Sequence, residues 1–235
     1  MTLETLLSRP AILFDLFHTL TSQRQARLSG PQTHELLQVS RAAILKAVFE
    51  ESQARLTGGI TDPVEIIADI ARRSGSPVAV SEYPGIARNN ANRFYQSLRR
   101  ISPAVLDALD ALRATGKRLA LVSNADVMEA DAFAGCPLAS RFHSVHFSCY
   151  EGVAKPDPGI YERALSALGV RSQDAFFVGD GGSNEFAGAR AVGLPSVCTT
   201  EFLVETMPEK IPERSAAAAL TIASLDELCS ALGAA

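Results

Sequence analysis

Four consecutive apolar residues, Ala11-Ile12-Leu13-Phe14, run straight into an aspartate, Asp15. A run this short, apolar at every position and ended by a carboxylate, fits a strand covered on both faces, the kind found in parallel sheets with helices on either side. The form recurs. Arg118 to Val122 ends at Ser123-Asn124, Asp174 to Val178 ends at Gly179-Asp180, and Pro195 to Thr199 and Leu220 to Ala223 read as two shorter strands. Between them lie segments of helical period. Val105, Leu109 and Leu112 fall between Pro103 and Gly116, and Ile160, Ala164, Leu165 and Leu168 between Pro158 and Gly169. Proline at the start and glycine past the end is the usual punctuation of a helix. Strands alternating with such helices predict a doubly wound, mainly parallel α/β sheet.

Residues 21–100 break the alternation, because they hold several helical stretches and no convincing strand. Leu37, Ile44 and Val48 fit one face of a long helix, Val64 to Arg73 a second and Ile86 to Leu98 a third, with breaks at residues 28–31 and at Thr57-Gly58-Gly59. The expected organisation is therefore an α/β core over 1–20 and 101–235, interrupted by a helical cap over 21–100. Charge follows the same division. The inserted segment has 11 basic and 7 acidic side chains, net +4, and the rest 11 basic and 19 acidic, net −8.

The whole chain of 235 residues has a net charge of −4, which argues against a nucleic-acid partner. Nowhere do 18 apolar residues run together, so no membrane partner is expected. Cys136, Cys149, Cys198 and Cys229 form no CxxC pair and have no histidine at zinc-ligand spacing. They read as thiols in a reducing compartment, and a cytoplasmic protein, monomeric or weakly dimeric, is the expectation.

In doubly wound sheets ligands bind outside the carboxyl ends of the strands. The polar residues at those ends are Asp15, Ser123-Asn124 and Asp180, with Lys155 a further candidate in the loop Ala154-Lys155-Pro156-Asp157-Pro158. Carboxylates sharing one cleft repel unless a cation lies between them, and a hard site of few oxygen ligands suits Mg²⁺. A lysine and a hydroxyl beside the metal would hold an anion, and a phosphoryl group is the obvious one. Each residue alone also has a plainer reading: Asp15 as a cap, Ser123-Asn124 as a turn, Lys155 as a solvated loop residue, and Gly179 to Gly182 as a flexible bend.

The run Phe14-Asp15-Leu16-Phe17-His18-Thr19-Leu20, then Ser123-Asn124, then Lys155-Pro156-Asp157-Pro158, then Val178 through Ala189 resembles the four ordered motifs of the haloacid dehalogenase-like (HAD) hydrolases, in their helical-cap (C1-type) form. The resemblance covers nearly the whole chain. It implies that Asp15 is the nucleophile forming an aspartyl-phosphate, which splits one hard displacement into two easier ones. Thr19 and Ser123 would donate hydrogen bonds to the phosphoryl group, Lys155 would neutralise it and orient Asp15, and Asn124 would complete the substrate site. Asp15, Asp180 and the backbone carbonyl of Phe17 would hold Mg²⁺. Glu185 matches the second acid of the fourth motif, acting through a metal-bound water or by orienting Lys155. The substrate implied is a small anionic phosphorylated metabolite.

Two positions depart from the family pattern. Phe17 stands where most family phosphatases have an aspartate serving as general acid and base, a loss that typically costs roughly 100- to 10,000-fold. A slow phosphatase, or one limited to good leaving groups, is expected. His18 stands where a glycine is usual and is the candidate to take over proton transfer at the substrate. The Phe17 departure keeps a 2-haloacid dehalogenase as the alternative, because those enzymes displace halide from carbon without a leaving-group acid. They also work without metal, and the acidic pair Asp180 and Glu185 argues against them here. A non-catalytic phosphate-binding protein of the same fold is the other alternative.

Overall fold

In a computed structural model the described residues are 1–22, 28, 30–49 and 53–233. Part of the expected break at 28–31, Ser29, lies outside them. After a one-turn helix α1 (Leu3–Leu7) the chain enters β1 (Ala11–Phe14). It then passes through the helices α2 (Thr33–Leu36), α3 (Arg41–Phe49), α4 (Gln53–Leu56), α5 (Pro63–Ser74), α6 (Tyr83–Leu98) and α7 (Pro103–Ala114). From there the order is β2 (Arg118–Ser123), α8 (Val127–Phe133), β3 (Ser144–Phe147), α9 (Ser148–Glu151), α10 (Pro158–Leu168), β4 (Ala175–Gly179) and α11 (Glu185–Ala191). It closes with β5 (Ser196–Thr199), α12 (Leu203–Thr206), α13 (Ile211–Ala217), β6 (Leu220–Ile222) and α14 (Asp226–Gly233).

Among the described residues six strands form one sheet in the order β3-β2-β1-β4-β5-β6, with every pair parallel. The doubly wound expectation holds. β1 pairs with both β2 and β4, so the chain leaves β1 toward one side of the sheet and later returns to the other. The crevice beyond β1 and β4 is thus the switch point, where ligands bind in such sheets. Each apolar run divides its side chains between two cores. Ile12, Phe14, Leu119, Leu121, Phe176 and Val178 belong to one buried cluster, and Ala11, Leu13, Ala120, Val122, Ala175 and Phe177 to the other. That alternation at every position is why no polar residue interrupts these strands.

The helices start and stop where their caps dictate. Asp62 accepts hydrogen bonds from the Val64 and Glu65 N–H groups before Pro63, and Gly75, with φ 71°, ends α5. Asp157 caps α10 through the Gly159 N–H at 2.8 Å, ahead of Pro158. The long helix expected through Leu37, Ile44 and Val48 is instead two. Gln38 lies at φ 52°, Ser40 Oγ accepts from the Ala43 N–H at 3.1 Å as a fresh cap, and the Leu37 carbonyl is taken by the Ser76 hydroxyl at 2.7 Å. β3 was not apparent in the sequence, because it is a four-residue edge strand buried only over its second half.

Among the described residues, the stretch between β1 and α7 contains helices and no strand. Its apolar side chains Ile44, Ile66, Ile67, Ile70, Phe94 and Leu98 join the same buried cluster as Ile12, Phe14 and Met128. Hydrophobic burial thus runs without interruption from this stretch onto one face of the sheet. Among the described residues no helix is long and apolar enough to cross a membrane.

Candidate active site

Three central strands end side by side. β2 ends on Ser123, β1 is followed at once by Asp15 and β4 by Asp180, with Phe14 in register with Leu121 on one side and Val178 on the other. The Asp15 N–H donates to the Val178 carbonyl at 2.9 Å and so fixes the nucleophile candidate against β4.

Lys155 joins the cluster. Its Nζ donates to Asp15 Oδ1 at 2.5 Å and to Glu185 Oε2 at 2.6 Å, and all three residues are buried. Thr19 donates from Oγ1 to Asp15 Oδ2 at 2.9 Å. The other Glu185 oxygen, Oε1, accepts from the Gly181 N–H at 2.7 Å, and Asp180 Oδ1 accepts from the Gly182 N–H at 2.9 Å. The remaining Asp180 oxygen, Oδ2, accepts from Arg214 Nη1, which also donates to the Asp180 carbonyl at 3.3 Å. Gly179 is required here because a Cβ at that position would collide with the Glu185 carboxylate.

Asn124 spends its whole amide on Lys155. Nδ2 donates to the Lys155 carbonyl at 2.9 Å and Oδ1 accepts from the Lys155 N–H at 2.7 Å, so the side chain positions the lysine. Ser123 Oγ is buried and has no hydrogen-bond partner among the described residues. An orphaned hydroxyl at a strand end is costly unless something arrives to use it.

Phe17 turns away from the cluster and packs on Phe94 of α6, with ring centroids 6.1 Å apart. His18 occupies the left-handed region at φ 63°, the conformation that explains a glycine in the family pattern. Its Nδ1 is buried without a partner, and burial holds the imidazole below its ordinary pKa despite the charges of Asp180 and Asp15.

The electrostatics follow from three carboxylates brought together. One ligand atom each from Asp15, Asp180 and Glu185 lies within 4.8 Å of the others. Burial, then the Asp180 charge, raises Asp15 above the usual carboxylate range, with Lys155 and Thr19 opposing. Burial, reinforced by Asp15 and Asp180, pushes Glu185 up to about 8 even though Lys155 is in contact. Burial alone would depress Lys155, but Asp15 and Glu185 override it and hold the ammonium well above its ordinary value. Three carboxyl groups facing two cations resist ionising together, as the raised Asp15 and Glu185 show, and the donor set is all oxygen. That fits a divalent hard cation.

Sequence reasoning missed three charged residues. Arg214 comes from α13 and engages Asp180. Arg55, from α4, is buried and donates to Asp126 Oδ2 at 3.3 Å, three residues past Ser123. Glu129 closes a capping box with Asp126, whose N–H donates to Oε2 at 2.9 Å, and burial followed by the Asp126 charge pushes it up to about 8. The box was findable from Asp126-Val127-Met128-Glu129 as a helix start. Arginines of the helical stretch have other partners: Arg93 donates to the Gly30 carbonyl at 3.2 Å and Arg99 stacks on Tyr95 at 3.7 Å.

Fold and site together define a doubly wound α/β protein with a carboxylate–lysine centre at its switch point. The model of the haloacid dehalogenase-like hydrolases matches residues 10–193, and the chain belongs to that family. It is 33% identical over 133 residues to a phosphoserine phosphatase of Thermus thermophilus, covering 55% of this chain and 53% of that protein. It is 34% identical over 113 residues to a glyceraldehyde 3-phosphate phosphatase of Pyrococcus abyssi, covering 48% and 46%. The chain thus spans about half the length of the curated relatives it matches. Among solved structures it resembles an L-2-haloacid dehalogenase of Xanthobacter autotrophicus with a TM-score of 0.62, 20% identity and coverage of 96% and 98%. A HAD family enzyme of Bacteroides thetaiotaomicron, an alanine mutant complexed with magnesium and inorganic phosphate, gives a TM-score of 0.60 at 19% identity, covering 81% of this chain and 94% of that one.

Proposed function

We propose that the protein is a Mg²⁺-dependent phosphatase acting on a small organic phosphate monoester through Asp15. The observation that carries this reading is the convergence of Asp15, Asp180 and Glu185 at the switch point, with one oxygen from each within 4.8 Å of the others and, among the described residues, Lys155 and Arg214 paired with them. A dehalogenase has no use for so much negative charge beside its nucleophile. The relatives at 33% and 34% identity are named as phosphatases, which supports the same choice.

In this reading Asp15, Asp180 and the Phe17 carbonyl hold the metal, with Glu185 beside them. When bound, the metal supplies charge neutralisation on the phosphoryl oxygens. Lys155 holds the Asp15 carboxylate ionised and aimed, and Asn124 holds Lys155. A carboxylate oxygen of Asp15 attacks phosphorus while the ester P–O bond breaks, and the leaving alkoxide takes a proton from solvent water. Water then attacks the aspartyl-phosphate, releasing phosphate and restoring the carboxylate. Thr19 and the unpartnered Ser123 hydroxyl donate to the transferring group. With Phe17 turned onto Phe94 no carboxylic acid serves the leaving group, so good leaving groups are favoured. The helical stretch 21–100 acts as the cap, excluding water from the edge.

The test is phosphate release from an activated aryl phosphate, with Mg²⁺ or with EDTA, for the wild type and Asp15→Asn. Turnover should fall by at least about 1,000-fold in the variant, the size of loss expected when a nucleophile is removed, and should vanish with EDTA. Activity that survives both changes overturns the reading. Metal-free halide release from a 2-chloro acid would put the dehalogenase in its place.

A further inference from the structure

Arg214 lies outside the stretch matched by the family model, in the short helix α13, yet it reaches the acidic edge. One guanidinium nitrogen, Nη1, donates both to Asp180 Oδ2 and to the Asp180 carbonyl. The side chains are 15% and 7% exposed, so the pair is largely withdrawn from water, where a charge-assisted contact is strong. The approach is built. A Cβ on Gly181, which lies at φ 85°, would come within 2.9 Å of Arg214 Cβ and 3.0 Å of Cγ, so glycine at 181 is what lets the arginine stem pass.

The rest of the guanidinium is weakly held. Nη2 meets the Met207 thioether at 3.9 Å, a poor acceptor. The arginine is therefore fastened to the edge chiefly through Asp180, and its remaining exposure gives it a way out to solvent. Both Asp180 oxygens are in use, Oδ1 by the Gly182 N–H and Oδ2 by Arg214. A divalent cation arriving at Asp180 meets a fixed positive charge on the atom it needs.

Resting on the reading of this edge as a metal site, we propose that Arg214 is a built-in counter-cation for Asp180 that a divalent ion must displace to bind. Metal binding and release of the Arg214–Asp180 pair are then one exchange. The protein without metal is protected against the repulsion of its three carboxylates by Lys155 and Arg214, and its metal affinity is set lower than the acidic cluster alone would give. By linkage, whatever weakens the ion pair tightens the metal.

The experiment is titration of Mn²⁺, as a stand-in for Mg²⁺, followed by electron paramagnetic resonance, on the wild type, Arg214→Met, Arg214→Lys and Asp180→Asn. Arg214→Met should bind Mn²⁺ about ten-fold more tightly than the wild type, equivalent to about 1.4 kcal/mol. Arg214→Lys, which keeps the charge and loses the fork, should fall between them and remains informative if the methionine variant folds poorly. In thermal melts Arg214→Met should melt below the wild type in EDTA and gain more from saturating Mn²⁺. Equal or weaker Mn²⁺ binding by both Arg214 variants overturns the exchange, and weaker binding would make Arg214 a positioning residue for Asp180. If the wild type binds Mn²⁺ and Asp180→Asn does not, such a failure touches the exchange alone. If neither wild type nor Arg214→Met binds Mn²⁺, the metal reading falls and the exchange with it.

Discussion

The sheet edge and its junction with the helical stretch solve the same problem, holding buried charge in place, by different means. At the edge every side-chain oxygen of Asp15, Asp180 and Glu185 has a partner, and the donors come from loops that follow the strands, except Arg214, which reaches in from α13. At the junction, Arg55 meets Asp126 at 3.3 Å with its Nε buried and unpartnered, and the rest of the contact includes aromatic and aliphatic groups such as Phe17 on Phe94. Strand ends in a parallel sheet are held in register by the evenly spaced bonds of the ladder. A one-turn helix such as α4 has no such template, and its charge is placed less completely.

This contrast can be broken first at Lys155. Replacing it with methionine leaves Asp15 and Glu185 facing each other inside the protein without their shared cation. Removing one partner of a buried pair costs about 3–5 kcal/mol. Urea unfolding of Lys155→Met at neutral pH should show a loss of that size, recovered in part as the pH is lowered and Asp15 protonates. A loss under about 1 kcal/mol would mean the edge is as loosely held as a surface pair.

The matching change at the junction is Arg55→Met. Asp126 then loses its cation but keeps two backbone donors, the Met128 N–H at 2.9 Å and the Glu129 N–H at 3.4 Å. Those donors compensate part of the loss, so the same measurement should show about 2 kcal/mol. A loss equal to that of Lys155→Met would remove the distinction between the two regions.

The same distinction governs how much could be read in advance. Asp15, Ser123, Lys155 and Asp180 were legible because each is tied to a local pattern, an apolar run that stops or a proline-flanked loop, and strand order then brings them together, whereas Glu185 was named only through the resemblance to the family's fourth motif. Gln38 and Ser40 broke a helix that apolar spacing alone would continue, because a serine cap and a tertiary bond from Ser76 outweigh periodicity. Arg214 carried no local signal. By count the excess of cations lies in the helical stretch, at +4, yet the arginine on Asp180 comes from the region that totals −8. Counting charge says how many groups there are and nothing of how far a long side chain reaches.

The smallest expected effect concerns Glu129, the residue that shares the Asp126 capping box. Its carboxyl, ordinarily near 4.5, is pushed up to about 8, so the folded protein holds a proton there that the unfolded chain has released. A raised folded pKa gives stability that is complete below the unfolded value and is lost as pH climbs toward the folded one. Stability should therefore decline from about pH 5 to pH 8. Glu129→Gln keeps an oxygen for the Asp126 N–H but cannot titrate, and its profile should be flatter. The difference should be only about 1 kcal/mol between pH 6 and 8, because Glu129 is only partly buried as a residue and its surroundings can relax. Parallel profiles for the two proteins would show that Glu129 ionises freely, and would place the junction's uncompensated charge on Asp126 and Arg55 alone.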